Sequence, residues 1–315
     1  MAKNDLHNSL VNFGGVTIGS TDPADASEQQ PVVGELTDLE RSRNRRSNAP
    51  SSSYLRATRK LVKEYTPALI LLGILVGFWE VFNKLFNQPD YILPPLHNIV
   101  ATAYLQAGDK FVPAAWVTFQ EVIVGYVLAV TLGILFATGI TEFRTLRRAL
   151  LPLIISTQAV PVLAIAPILI IWFGFGMTPK ILIVILISFF PVVVTTVTGL
   201  ESVPRDMLNL LDSFKATRWQ ILRRVRFPAA LPYMFAGLKN AAVISVIGAF
   251  VGEYVGAVEG LGPVMVLANS GFQTDVVFAA IIYLSFMGIG MYIAIAAIER
   301  RVIRWHFVAR AGAER

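Results

Sequence analysis

The chain has 315 residues, 55% of them hydrophobic and only 15% charged, with a formal net charge of +6. A soluble domain carries about 25% charged residues, so the composition is that of an all-α polytopic membrane protein rather than a soluble enzyme or binding module. The chain has no cysteine, which excludes disulfides and thiolate chemistry, and its three histidines (His7, His97, His306) are too scattered for a metal site. The positive charge does not require nucleic acid as a partner, because basic loops flanking membrane spans account for it.

Residues 1–55 are rich in Ser, Asn, Asp, Gln and Pro without apolar periodicity, and read as a disordered cytoplasmic tail. They contain no apolar core of a signal peptide, and the run "RSRNRRSNAP" (41–50) reads as a positive cytoplasmic flank. The transmembrane domain is expected over 56–310. It holds six apolar stretches, at 66–86, 113–140, 149–174, 179–200, 230–256 and 273–298, each near the roughly 20 residues that cross a bilayer. "PPLHNIVATAYLQAG" (94–108) is too polar to span and reads as an interfacial amphipathic helix joining the first two spans. The third and fourth spans contain Pro152, Pro161, Pro167 and Pro191, and a proline inside a helix kinks it. Near Pro161, the polar Thr157 and Gln158 could satisfy the freed backbone or face a pathway. "FGFG" (173–176) reads as a helix end on the outer side.

Loop charge sets an orientation. Basic residues number 9 between Lys3 and Lys63, 3 at 144–148, 6 at 205–226 and 5 at 300–315, which is 23 of the 27. The alternate loops hold only Lys84, Lys110 and Lys180, while Lys239 lies within the fifth span. The excess of Lys and Arg in cytoplasmic loops then puts both termini, 144–148 and 205–226 inside.

The cytoplasmic segment 201–229 has structure of its own. Ser202 and Pro204 mark a helix start. Met207, Leu210, Leu211 and Phe214 follow at i, i+3, i+4, i+7 and form one apolar stripe. A break is expected near Lys215–Ala216, and Thr217 with Gln220 has the spacing of a capping box for a second short helix. The stripe needs either a protein partner or a membrane surface to cover it. Within the spans, Glu121, Lys239 and Glu253 would each cost about 2.5–3.5 kcal/mol if left facing lipid at mid-bilayer. They should therefore face the bundle or a cavity. Lys239 and Glu253 are 14 residues apart on one span, about 21 Å at 1.5 Å per residue, too far to pair. Glu253 falls near the outer end of its span, while Glu121 and Lys239 suit structural pairing or interface roles.

"ATRWQILRRVRFPAALPYMFAGLKNA" (216–241) resembles the signature loop of binding-protein-dependent ABC importer permeases. "QAVPVLAIAPILIIWFGFG" (158–176) is similar to the nitrate/sulfonate/taurine group of that superfamily. "FFPVVVTTVTGL" (189–200) and "VIGAFVGEYVGAVEGLG" (246–262) resemble the subgroup associated with thiamine-precursor pyrimidines. The resemblance covers 65–305. It implies the six-helix type I permease fold, no cofactor in this chain, and inner-membrane location. Its implied partners are an ATPase subunit that binds ATP and Mg, an extracytoplasmic solute-binding protein and a second copy of the chain. It makes 201–229 the coupling segment, with Met207, Leu210, Leu211, Asp212, Phe214, Lys215, Arg218 and Trp219 toward the ATPase. Thr157, Gln158, Pro161 and Glu253 become candidates for the translocation pathway. One departure stands out: Asn209, Leu210, Leu211 and Lys215 occupy the family's Glu-Ala-Ala and downstream Gly positions. A lysine strains the left-handed turn which that glycine permits.

No G-x-x-x-x-G-K-[ST] loop, HExxH or nucleophile arrangement is present. An ion-driven secondary transporter would not need the coupling-type loop, and an intramembrane enzyme would need a catalytic constellation. A helix-turn-helix DNA reader at 205–226 would need more chain than is free between two spans.

Overall fold

The computed structural model describes residues 51–86 and 89–303. The expected tail up to residue 50, with its basic run 41–50, and the C-terminal residues from 304 lie outside the described residues. Among the described residues all regular structure is helical. In chain order the helices are α1 (Ser51–Phe86), α2 (Leu96–Leu105), α3 (Val112–Glu142), α4 (Arg144–Thr157), α5 (Val162–Phe173), α6 (Met177–Leu200), α7 (Arg205–Ser213), α8 (Arg218–Ile221), α9 (Phe227–Gly256), α10 (Leu261–Ser270) and α11 (Thr274–Val302). Residues 51–55, expected to belong to the tail, are part of α1. The chain forms two compact units divided after Ile74. The described part of the first, 51–74, is a continuous stretch of α1; the second begins at Leu75 and holds all the features below.

Four helices among the described residues are long and apolar enough to cross a bilayer: Ala107–Glu142, Met177–Leu200, Arg218–Gly256 and Thr274–Val302. Two of these are longer than their α-helical parts because π-helical turns, Ala107–Phe111 and Leu222–Arg226, run directly into α3 and α9. The first expected span, 66–86, falls within α1.

The third expected span needs correction. Residues 149–174 do not form one kinked helix; Arg147–Thr157 and Val162–Phe173 meet at 95°. Pro161 has no N–H to continue the ladder of α4. Thr157 to Val160 instead close a tight turn, with Val160 N–H donating to the Thr157 carbonyl at 3.2 Å. Pro161 then becomes the residue preceding α5. Pro152, Pro167 and Pro191, by contrast, stay inside helices.

α6 is the centre of the bundle, clasped between α3 and α9. Val122 and Tyr126 of α3, Val184 and Val192 of α6, Ala241, Ala242, Val246 and Ala249 of α9, and Met291 of α11 form the main buried cluster. Small residues allow this closeness, as expected where lipid removes the hydrophobic drive for helix association. A Cβ on Gly248 would sit 3.1 Å from the Val184 Cα, and one on Gly252 would sit 3.1 Å from the Lys180 Cα. α2 does more than rest at the interface. Its Thr102 hydroxyl donates to Asp275 at 2.7 Å, and its Ala103 carbonyl accepts from the Tyr283 hydroxyl at 3.1 Å, so it is tied to α11.

Candidate functional site

Two regions concentrate polar chemistry, one at each end of the bundle. The first lies where α3 and α6 begin and α9 ends. Lys180, counted in an outer loop from the sequence, sits in the first turn of α6 and is 7% exposed. Its ammonium donates to Glu121 Oε1 at 2.5 Å and to the Glu259 carbonyl at 3.5 Å. Glu121 is fully buried, and its Oε2 has no hydrogen-bond partner among the described residues. Glu253, 1% exposed, accepts from the Thr118 hydroxyl at 2.6 Å and from the Gly262 N–H at 2.7 Å. The Thr118 hydroxyl in turn accepts from the Leu261 N–H at 3.0 Å. A helix start leaves its first N–H groups without intrahelical partners; Thr118 and Glu253 supply them for α10. Gly260 (φ 117) makes that approach possible, because a Cβ there would collide with the Glu253 carboxylate.

Lys180 and Glu121 pair across α6 and α3, and Glu253, held by Thr118 and Gly262, joins α9 to α3 and α10 in the same buried region. Lys239 pairs elsewhere, with Glu299 of α11 at 2.7 Å, its Nζ 5.9 Å from the centre of the Tyr292 ring. Sequence reading selected Glu121 and Glu253 but not Lys180, Thr118 or α10. The signal available for Lys180 was a lone lysine at the start of an apolar run.

Of the four pathway candidates, Glu253 is enclosed in this cluster. Thr157, Gln158 and Pro161 line the exposed corner between α4 and α5. The Thr157 hydroxyl satisfies the Ile154 carbonyl at 2.7 Å. None of these three is among the hydrogen-bonding partners of Glu253.

The second region is the segment between α6 and α9. α7 starts at Arg205, after Pro204 rather than at Ser202. It ends in a Schellman motif: Ala216 N–H donates to the Leu211 carbonyl at 3.1 Å and Lys215 N–H to the Asp212 carbonyl at 2.9 Å. Lys215 takes φ 56, so the lysine adopts the left-handed conformation that suits glycine. α8 starts with a full capping box: Thr217 N–H donates to Gln220 Oε1 at 2.8 Å, and Gln220 N–H to Thr217 Oγ1 at 3.3 Å. The strain at Lys215 is testable. Lys215→Gly should stabilise the segment by about 1 kcal/mol, the order of the left-handed penalty for an L-residue. Slower hydrogen exchange at Lys215 and Ala216, whose N–H groups close the motif, is the readout. Unchanged exchange means the backbone there carries no strain.

α7 is turned with its apolar side outward. Arg205, Leu208, Asn209 and Asp212, spaced i, i+3, i+4, i+7, line a polar cavity of about 590 Å³ bounded by the ends of α3 and α6. The opposite side carries Met207 (48% exposed), Leu210 (57%) and Phe214 (75%), with Trp219 (66%) beside them on α8; Leu211 is half-buried. Asp212, Lys215 and Arg218 are exposed around the same segment.

Long apolar helices with charged pairs closed between them, joined by a loop that turns its apolar side outward, define a multi-pass membrane protein. The chain belongs to the family described as binding-protein-dependent transport system inner membrane component, whose model matches residues 129–304. It is a permease subunit of an ABC importer, a transport component rather than an enzyme. It is 36% identical over 242 residues to the formylaminopyrimidine transport permease protein ThiX of Halalkalibacterium halodurans, covering 76% of this chain and 95% of that one. The riboflavin transport system permease protein RibX of Chloroflexus aurantiacus is 34% identical over 254 residues, with 78% and 94% covered. Among solved structures, the inward-facing MetNI methionine ABC transporter matches with a TM-score of 0.55 at 19% identity, over 61% of this chain and 95% of the matched chain. That likeness supports the fold alone.

Proposed function

We propose that this chain is the translocation subunit through which a small heterocycle, of the hydroxymethylpyrimidine or thiamine-precursor class, passes after delivery by an extracytoplasmic binding protein. Two copies form the path, and a separate ATPase subunit drives it by docking on α7 and α8. The observation that carries the docking is the orientation of α7: a helix of an isolated chain hides its apolar stripe, whereas this one turns Arg205, Asn209 and Asp212 toward the cavity they line and presents Met207, Leu210 and Phe214 outward. The substrate class is supported by the two relatives named for pyrimidine and riboflavin transport, at 36% and 34% identity. A binding protein usually sets specificity in such a system, so the permease's own pathway, with Thr157, Gln158 and Pro161 at the α4–α5 corner, needs only to pass a flat, weakly polar solute.

The test is reconstitution in liposomes. This chain alone should give no accumulation of a hydroxymethylpyrimidine. Addition of its ATPase, its binding protein and MgATP should give uptake. Ion-driven accumulation by the chain alone would replace the ABC mechanism with that of a secondary transporter.

We further propose, from the loop-charge count, that both termini and Lys215 are cytoplasmic and Glu259 is outside. α9 separates these two positions and runs 30 residues, about 45 Å at 1.5 Å per residue. Both side chains are exposed and the chain has no native cysteine. In intact cells, an impermeant thiol reagent should label a Glu259→Cys variant and spare Lys215→Cys. The opposite pattern reverses the orientation.

A further inference from the structure

The cavity behind α7 lies on the side of that helix away from the apolar stripe, and the docking of a partner on the stripe leaves it unexplained. Four arginines line it: Arg147 from α4, Arg205 from α7, Arg218 from α8 and Arg226 from the turn before α9. Arg147 is paired with Glu201. Among the described residues, Arg205, Arg218 and Arg226 form no ion pair and no side-chain hydrogen bond, although Glu142 and Asp212 line the same cavity. The Nε of Arg226 is buried without a partner. A buried donor left unmade costs about 1–3 kcal/mol, more when the group is charged, so this guanidinium is missing an acceptor. Setting aside the Arg147–Glu201 pair, three guanidiniums face two carboxylates, and the cavity keeps a positive excess.

We infer that the cavity is a binding site for a phosphate-bearing anion, either the headgroup of an anionic lipid or a soluble phosphate. Planar guanidinium forks match phosphate oxygens in bidentate fashion. A volume of about 590 Å³ holds a headgroup with its first glycerol atoms. Depth favours the lipid. Thr141 and Glu142 end α3, Leu200 and Glu201 lie at the end of α6, and all four line the cavity, so it opens at the ends of two membrane-spanning helices. Basic pockets at that level between membrane helices suit anionic headgroups. The bound anion would tie Arg205 of α7 to Arg218 and Arg226, which lie on the continuous helix Arg218–Gly256, so that α7 moves with that helix rather than independently.

The experiment uses the full chain purified in phosphatidylcholine-containing micelles and titrated with phosphatidylglycerol, with bound lipid counted by native mass spectrometry. A parallel arm titrates inorganic phosphate and follows thermal stability without anionic lipid. The variants are Arg226→Gln and, in case that change disturbs folding, the exposed Arg205→Gln; Arg224→Gln, outside the cavity, is the control. The expected result is saturable retention of about one phosphatidylglycerol per chain, weakened about fivefold by either cavity substitution and unchanged by the control. Saturable stabilisation by phosphate alone, lost in the same two variants, also supports the site and assigns it to a soluble ligand. If wild type and both cavity variants bind lipid and phosphate equally, the inference is overturned.

Discussion

Replacing Lys180 by methionine should cost about 3–5 kcal/mol of stability, because it leaves a buried carboxylate without its counter-ion. The wild-type geometry offers little relief. Glu121 is fully buried, the Lys180 ammonium is its hydrogen-bond partner among the described residues, and its second oxygen has none even in the intact protein. Glu253 keeps its own donors, the Thr118 hydroxyl and the Gly262 N–H. The damage should therefore be concentrated on Glu121 and on the contact between α3 and α6. A double variant, Lys180→Met with Glu121→Met, removes both charges and nearly preserves volume. Replacing a whole buried ion pair by apolar groups is often neutral or stabilising, so the double variant should recover most of the loss. Equilibrium unfolding in mixed micelles measures each step of the cycle. Equal stability of wild type and Lys180→Met would show that the pair is not a staple. A double variant as weak as the single one would assign the loss to packing of the lysine stem rather than to charge.

How far this cluster was legible in the sequence follows from its physics. A charge in an apolar run announces that it must be paired, because lipid does not solvate it, and Glu121, Lys239 and Glu253 could be selected on that ground. The partner is set by the fold. Glu121 and Lys180 are 59 residues apart and Thr118 and Glu253 are 135 apart, and no periodicity links them. α10 was missed for a related reason. It is a short helix whose first N–H groups are satisfied by side chains from α3 and α9, so it lacks the local cap that marks a helix start. The coupling segment was legible because its determinants are local: the stripe spacing, Pro204, and the Thr217–Gln220 box all lie within a few residues. Even there, Lys215 adopts the turn that its side chain disfavours, since the Schellman hydrogen bonds and the following capping box hold the backbone on both sides. The prolines divide in the same way. Pro191 stays within α6, which α3 and α9 clasp on either side, whereas Pro161 follows an exposed turn, and the chain bends by 95°.

Phe214→Ala should weaken association with the ATPase subunit by more than about 1 kcal/mol, roughly fivefold in affinity, and should lower transport accordingly. Phe214 is the C-cap of α7 and is 75% exposed, more than Met207 or Leu210 on the same stripe or Trp219 on α8. A few buried residues, often aromatic, dominate interface energies, and Phe214 ends the stripe beside the turn at Lys215. Membrane insertion should be normal, since the residue lies in the loop between spans and is not in the core. Docking of the binding protein should also be normal, since α9 separates it from the outer surface. Arg223→Ala, an exposed charge just beyond α8, should do less, because exposed ionic contacts contribute about 0–1 kcal/mol. Co-purification of the ATPase with each variant, together with substrate-stimulated ATPase activity, separates binding from coupling. Lost co-purification with intact folding places the stripe at the interface. Full co-purification with lost stimulation would make Phe214 a transmitter of motion rather than an anchor. If Phe214→Ala keeps both, the outward stripe of α7 rests on the membrane surface, and the inverted helix reflects lipid contact instead of a protein partner.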